Sequence, residues 1–184
     1  MDLTDALRRL SALVARARAD VESRRLASCS GCPAPCCRVG RNGMLVSPLE
    51  AAGILRRIET DAALARRRRA LVEEIESLVA ARGLSRTADR ETTYDCPFLI
   101  AGGGCAVHGE GQPLGCVTFM PATPDQEHCD QDEEAFVAAY DELAALNESV
   151  FGDDWEPWPI PVAVLDRLRR LKRKNAVPEK PDEV

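Results

Sequence analysis

Two groups of cysteines carry the chemistry open to this sequence. In Cys29-Ser-Gly-Cys32-Pro-Ala-Pro-Cys36-Cys37 four thiols fall within nine residues. Gly31, Pro33 and Pro35 keep that stretch out of a regular helix and let it fold back, so several sulfurs can face one centre. Arg24, Arg25, Arg38 and Arg41 stand close by in sequence and favour the thiolate, the metal-binding form. The neighbours Cys36 and Cys37 would point to opposite sides of an extended backbone, so one tetrahedral ion takes both only if a special turn intervenes. Otherwise they serve two metals, or one of them stands beside the centre as a thiol.

The second group is Cys96, Cys105, Cys116 and Cys129, at wide and irregular gaps. Zinc modules repeat a close C-x2-4-C pair, which only Cys29/Cys32 provides, and the ferredoxin cysteine run is absent as well. Zinc, iron and an iron–sulfur cluster all stay open as the cofactor. The two histidines of the chain also lie in this segment, His108 in Cys105-Ala-Val-His108 and His128 just before Cys129. Each is a ligand candidate, set against the commoner exposed loop histidine.

The elements that must position these groups are mostly helical. Leu3, Leu7, Leu10, Val14, Ala17 and Val21 recur at helical spacing and predict an amphipathic helix over 3–26, with Asp2 as its cap. Ser47-Pro48-Leu49-Glu50 supplies a capping residue, a proline at the first helical position and a glutamate at the third. The pattern that follows runs to Ala81 with Gly83 as terminator, and Thr60-Asp61 can split it into two helices. From Thr92 to Asp130 no helical period persists. There Cys96 to Ile100 and Cys105 to Val107 flank the Gly-rich turn at 102–104, which suggests a short hairpin. Asp130 and Glu133 read as the cap of a helix with the seam Phe136, Tyr140, Leu143, Leu146 and Val150. The prolines of Trp155-Glu-Pro-Trp158-Pro-Ile-Pro161 impose an extended strap, followed by a last helix over 161–174.

Composition narrows the function classes. Aromatics are only 4% of the chain, so the apolar content is mainly Ala, Leu and Val, which favours helices packed through aliphatic contacts. No run approaches the roughly 20 apolar residues that cross a bilayer. The N-terminal Met1-Asp2-Leu3-Thr4-Asp5 is acidic where a secretory leader is basic. A soluble cytoplasmic protein is therefore expected, in which eight cysteines are poor disulfide formers and are better explained by metal binding or catalysis. The net charge of -6 is unevenly spread: residues 1–90 hold 17 Arg, whereas residues 91–160 hold 15 Asp/Glu and no Lys or Arg. Basic helices packed on an acidic segment account for this, with a charged partner as the alternative. Arg66 to Arg69 are consecutive, so on a helix they point in different directions and form no single patch.

Taken in order, the Cys29-x2-Cys32-x3-Cys36-Cys37 head, Cys96-Pro-Phe-Leu, Gly104-Cys105-Ala-Val and Pro113-Leu-Gly-Cys116-Val-Thr-Phe119 resemble the YkgJ-type cysteine-cluster family over roughly residues 28–130. Cys129-Asp130 is similar to a downstream Cys-Asp of some members. The resemblance implies a zinc- or iron-chelating domain with no settled reaction. A related module resembles part of a bacterial flagellin lysine methylase, which admits enzymes built on such a cluster. This chain departs in three places. Three residues separate its second and third cysteines instead of two, Gly111-Gln112-Pro113 stands where Arg-Pro is usual, and His108 stands where Tyr is usual.

The expected fold is mainly α: a single small domain over 1–175, with several helices around irregular Cys-rich loops, room for one short β-hairpin, and a disordered tail over 176–184. The expected function is binding of zinc or iron, an iron–sulfur cluster included, by Cys29, Cys32, Cys36, Cys37, Cys96, Cys105, Cys116 and Cys129, in a structural, metal-handling or redox role. The rival is a metal- or cluster-dependent protein-modifying enzyme of methyltransferase or oxidoreductase type. A closed four-sulfur shell favours the first reading, and a pocket beside an open coordination position favours the second. No nucleotide-binding glycine pattern or nucleophile–base pair is visible. A nucleic-acid-binding zinc protein using Arg66–Arg69 and the basic stretch 167–174 is opposed by the acidic segment. Metal ions are thus the expected partners, with neither membrane nor nucleic acid.

Overall fold

A buried capping box opens the central helix. In the computed structural model, which describes residues 1–24, 34–101, 103–121 and 129–175, Ser47 accepts from the Glu50 N–H while the Glu50 carboxylate accepts from the Ser47 N–H. With Pro48 at the first position these fix the start of α2 (Pro48–Thr60). Asp61 then ends α2 and, by accepting from the N–H groups of Ala63 and Leu64, starts α3 (Ala62–Arg82). Gly83, in the left-handed region at φ 61°, stops it. Ahead of them α1 (Leu3–Arg24) is capped by Asp2, whose carboxylate accepts from the Asp5 N–H at 2.9 Å.

The protein is mainly helical, as expected. A short α4 (Leu114–Val117), the long α5 (Glu133–Phe151) and α6 (Ile160–Asn175) complete the helices of the described residues. Two small antiparallel pairs join them. β1 (Leu45–Val46) pairs with β4 (Trp158–Pro159), Val46 opposite Trp158, so the proline-rich strap is extended through Pro159, whereas Ile160, read as part of it, already opens α6. β2 (Phe119–Pro121) pairs with β3 (Cys129–Gln131), Met120 opposite Asp130.

α2 is the shared wall of two apolar clusters. Ala51, Ile54, Leu55 and Ile58 face α3 and α6, where they meet Leu71, Ile75, Val164 and Leu168 together with Tyr94, Phe98 and Val107. Leu49 and Ala52 face α1, α4 and α5, against Leu10, Val14, Leu114, Leu143 and Leu146. Each fully buried Leu or Ile removes enough apolar surface to contribute roughly 2 kcal/mol.

Two expectations need correction, the hairpin and the cap of α5. The segment over 92–130, read without a helical period, holds among its described residues only the short α4, β2 and the start of β3. It lacked a legible period because each element spans four residues or fewer. The hairpin around the glycine turn is reduced to one bridge, Leu99 with Cys105. The cap of α5 is Asp132, which accepts from the Ala135 N–H, while Asp130 is taken by β3. Of the expected seam, Leu143 and Leu146 are buried with Ala135 and Ala139, Phe136 and Val150 pack against them, and Tyr140 is 39% exposed.

Two arginines of α1 link the basic and the acidic segments. Arg16 of α1 pairs with Glu142 of α5 at 2.6 Å, and Arg24 reaches Asp132 and Glu134 at 3.2 and 3.0 Å. Arg67, Arg68 and Arg69 pair with Glu74, Glu59 and Glu73 along exposed helix surface. Such exposed pairs contribute little each. Among the described residues no helix is long and apolar enough to cross a membrane. The expected tail after Asn175 lies outside the described residues.

Candidate metal centre

The adjacent cysteines sit on the special turn that their pairing requires. Ala34 adopts the left-handed region at φ 57°, Pro35 begins a 3-10 turn over Pro35–Cys37, and the Cys37 N–H donates to the Ala34 carbonyl at 3.0 Å. In this tight turn the two side chains do not diverge as they would from extended backbone. The Cys36 thiol hydrogen-bonds with that of Cys37 and is in reach of Cys129, whereas Cys37 is in reach of Cys96.

Backbone bonds bring the later cysteines alongside. The Cys96 N–H donates to the Cys37 carbonyl at 2.7 Å, and the Tyr94 N–H donates to the Asn42 carbonyl at 3.0 Å. Residues 37–42 thus run beside residues 94–96. Cys105 is delivered by the turn at 100–104, where the Ile100 N–H donates to the Gly104 carbonyl at 3.1 Å and Gly104 takes φ 89°. Cys116 rides on α4, whose start is fixed by Glu50: its carboxylate accepts from the Leu114 N–H at 2.8 Å. Cys129 lies on β3, opposite Pro121.

Cys36, Cys37, Cys96, Cys105 and Cys116 all line one cavity of about 260 Å³, with Phe119, Phe136, Tyr140 and Trp155 among its other walls. All six described cysteines are partly buried. Cys29, Cys32 and His128 lie outside the described residues. His108 also lines the cavity and is exposed. Its pKa is lowered by desolvation and by the Arg18 charge, against Glu22, which favours the neutral imidazole.

The thiols make one another harder to ionise. Cys36 is raised far above an ordinary thiol by its hydrogen bond with Cys37, by burial and by the Cys37 charge. For Cys37, the bond from Cys36 lowers the pKa. The bond with Cys96, burial and the charges of Cys96 and Cys105 outweigh it, pushing the thiol up to about 12. Cys116 is raised by burial first, then by Cys105, Cys37 and Cys36. Sulfurs that oppose one another's negative charge are a donor set that a soft cation would relieve, and thiolates suit zinc, iron and iron–sulfur clusters. Among the described residues, however, no group of three or more Cys, His, Asp or Glu side chains is arranged to hold a metal ion. The contacts are those of thiol pairs, and two cysteines of the head fall outside them.

Four supporting roles were not read from the sequence. Tyr94 is fully buried, its hydroxyl donates to the Met44 carbonyl and accepts from the Ile160 N–H at 3.0 Å, so it pins the 94–96 segment to the residue before β1 and to the start of α6. Glu50 was visible as a helix cap but not as the tether of α4. Its pKa is raised by burial, against the hydrogen bonds from Ser47 and Leu114. Asn42 is 5% exposed and lines the cysteine cavity. Arg18, finally, reaches from α1 to the Gln112 side chain at 2.8 Å and the Gly109 carbonyl at 3.3 Å. A basic group therefore stands beside Gly111-Gln112-Pro113, supplied by another element. No spacing in the sequence signals that. Compared with known proteins, the chain matches no family, no curated relative and no solved structure.

Proposed function

We propose that this protein binds zinc or iron, an iron–sulfur cluster included, through its cysteines, in a structural, metal-handling or redox role. The observation that carries the reading is the convergence of Cys36, Cys37, Cys96, Cys105 and Cys116 on one cavity, with Cys129 against Cys36. These residues come from turns and short elements far apart in sequence, and a shared ligand is the simplest reason for thiols to gather at the expense of their own ionisation. The resemblance of the four cysteine elements to the YkgJ-type family supports the same chemistry. Anaerobic titration of the reduced protein with cobalt(II) tests it. Thiolate-to-cobalt absorption in the near ultraviolet is expected, weakened in Cys37→Ser and in Cys116→Ser; a wild-type protein without that absorption contradicts the reading.

A second reading has one observation in its favour. The cavity that the sulfurs line has about 260 Å³ of space and its other walls include Phe119, Phe136, Tyr140 and Trp155, which suits a metal-dependent enzyme acting on a single side chain or a small molecule admitted next to the centre. Displacement of a cobalt-bound water by small anions, seen as a change in the visible bands, would favour it; indifference of those bands to added ligands would favour a closed, structural centre.

A further inference from the structure

One buried donor beside the cysteines has no acceptor. Asn42 closes the turn that follows Cys37: its N–H donates to the Arg38 carbonyl at 2.9 Å and its carbonyl accepts from Tyr94. Its side-chain Oδ1 accepts from the Met44 N–H at 3.2 Å, which fixes which end of the carboxamide is the oxygen. The Nδ2 group on the other end is buried and makes no hydrogen bond. A buried N–H without an acceptor is unfavourable, so a structure that keeps one calls for an explanation, a bound ion or ligand among them. Asn42 lines the same cavity as Cys36, Cys37 and Cys96, and the backbone hydrogen bonds from Tyr94 to Asn42 and from Cys96 to Cys37 hold the two segments side by side there. Neutral thiols are weak acceptors, whereas metal-bound thiolate sulfur is a good one.

We propose that the Asn42 carboxamide is a positioning residue for the metal centre, donating an N–H···S hydrogen bond to a cysteine sulfur once that sulfur is bound to metal. The inference rests on the metal-binding reading. It adds a residue that touches sulfur and not metal, and that by its hydrogen bond orients the ligand and tunes the centre.

Selective labelling makes the test direct, because the chain has three asparagines, Asn42, Asn147 and Asn175. Asn147 is a built-in control: its Nδ2 already donates to the Leu143 carbonyl at 2.9 Å in the core. Reduced, 15N-asparagine-labelled protein is titrated with zinc alone. One Nδ2 proton of Asn42 is expected to move downfield and exchange more slowly as zinc binds, with Asn147 unmoved. In a parallel competition with a chelator, Asn42→Leu is expected to bind zinc at least about ten-fold more weakly and to shift the thiolate-to-cobalt band. Zinc binding by the wild type with an unmoved Asn42 resonance overturns the inference and leaves the metal reading standing. So does weaker binding by Asn42→Leu without that resonance shift, which marks a purely structural role. Absence of zinc binding by the wild type overturns both. The spectrum of the unsubstituted protein decides the matter even where Asn42→Leu fails to fold.

Discussion

Cys36 and Cys37 occupy one 3-10 turn yet face different partners, Cys129 on one side and Cys96 on the other. Replacing them one at a time by Ser should therefore remove unequal fractions of bound metal per chain if they serve two centres. If one of them is a bystander beside a single centre, only one variant should lose metal. Full retention in both would exclude the pair as ligands. Their acidity gives a second expectation, with a defined sign. Cys36, Cys37 and Cys116 hold their protons in the folded chain beyond the ordinary value of 9.0. Below pH 9 these thiols are neutral in both the folded and the unfolded chain, and they leave stability unchanged. Above that the unfolded chain ionises first, so the reduced, metal-free protein should lose stability by up to about 1.4 kcal/mol per pH unit for each such thiol. Denaturant unfolding at pH 8 and pH 10 measures this, and Cys36→Ser should flatten the fall. Metal uptake near neutrality must release the same protons, so apparent affinity should rise with pH.

Each short element carrying a cysteine is held by a tether from a long one. Glu50 of α2 holds α4 and so Cys116, accepting three hydrogen bonds, from the Ser47 N–H, the Ser47 hydroxyl and the Leu114 N–H. In Glu50→Gln a single amide oxygen replaces both carboxylate oxygens, which should destabilise the protein by about 1–3 kcal/mol and loosen Cys116. Thermal or denaturant unfolding checks the first, and the reactivity of the Cys116 thiol the second. Gly43 tethers by its smallness. A Cβ there would lie 1.8 Å from the Arg90 carbonyl oxygen, so Gly43→Ala must push apart the two segments that align Cys37 with Cys96. A loss of about 1–3 kcal/mol or more is expected, read from the same unfolding curves, and wild-type stability would count against this close approach. The long helices were legible because Ser47, Glu50, Asp61 and Gly83 state their boundaries in local chemistry. α4, β2 and β3 were not, because elements of three or four residues have no period to read. Asp132 escaped notice in favour of Asp130 since both precede the acidic start of α5, and only the pairing of β3 decides between them. The cysteine group itself was visible as composition. Its convergence was not, because it depends on long-range bonds such as Cys96 to Cys37 and Leu114 to Glu50.

At the scale of the whole molecule, α2 with its two apolar clusters forms the frame, and the segment from Tyr94 to Phe119 leans on it through Tyr94, Phe98, Val107 and Leu114. Stability should be divided accordingly. Removing metal under reducing conditions is expected to raise amide exchange first around Cys96, Cys105 and Cys116, with α2 and α6 keeping their protection. Equal protection with and without metal would detach the segment's order from the centre. Whether the gathered cysteines hold metal is read from the absorption spectrum and metal content of protein purified without oxygen. Bound metal is expected on the isolated chain, either brown protein containing iron and sulfide or colourless protein containing zinc. Fully folded protein with neither metal and with its thiols unligated would contradict metal binding.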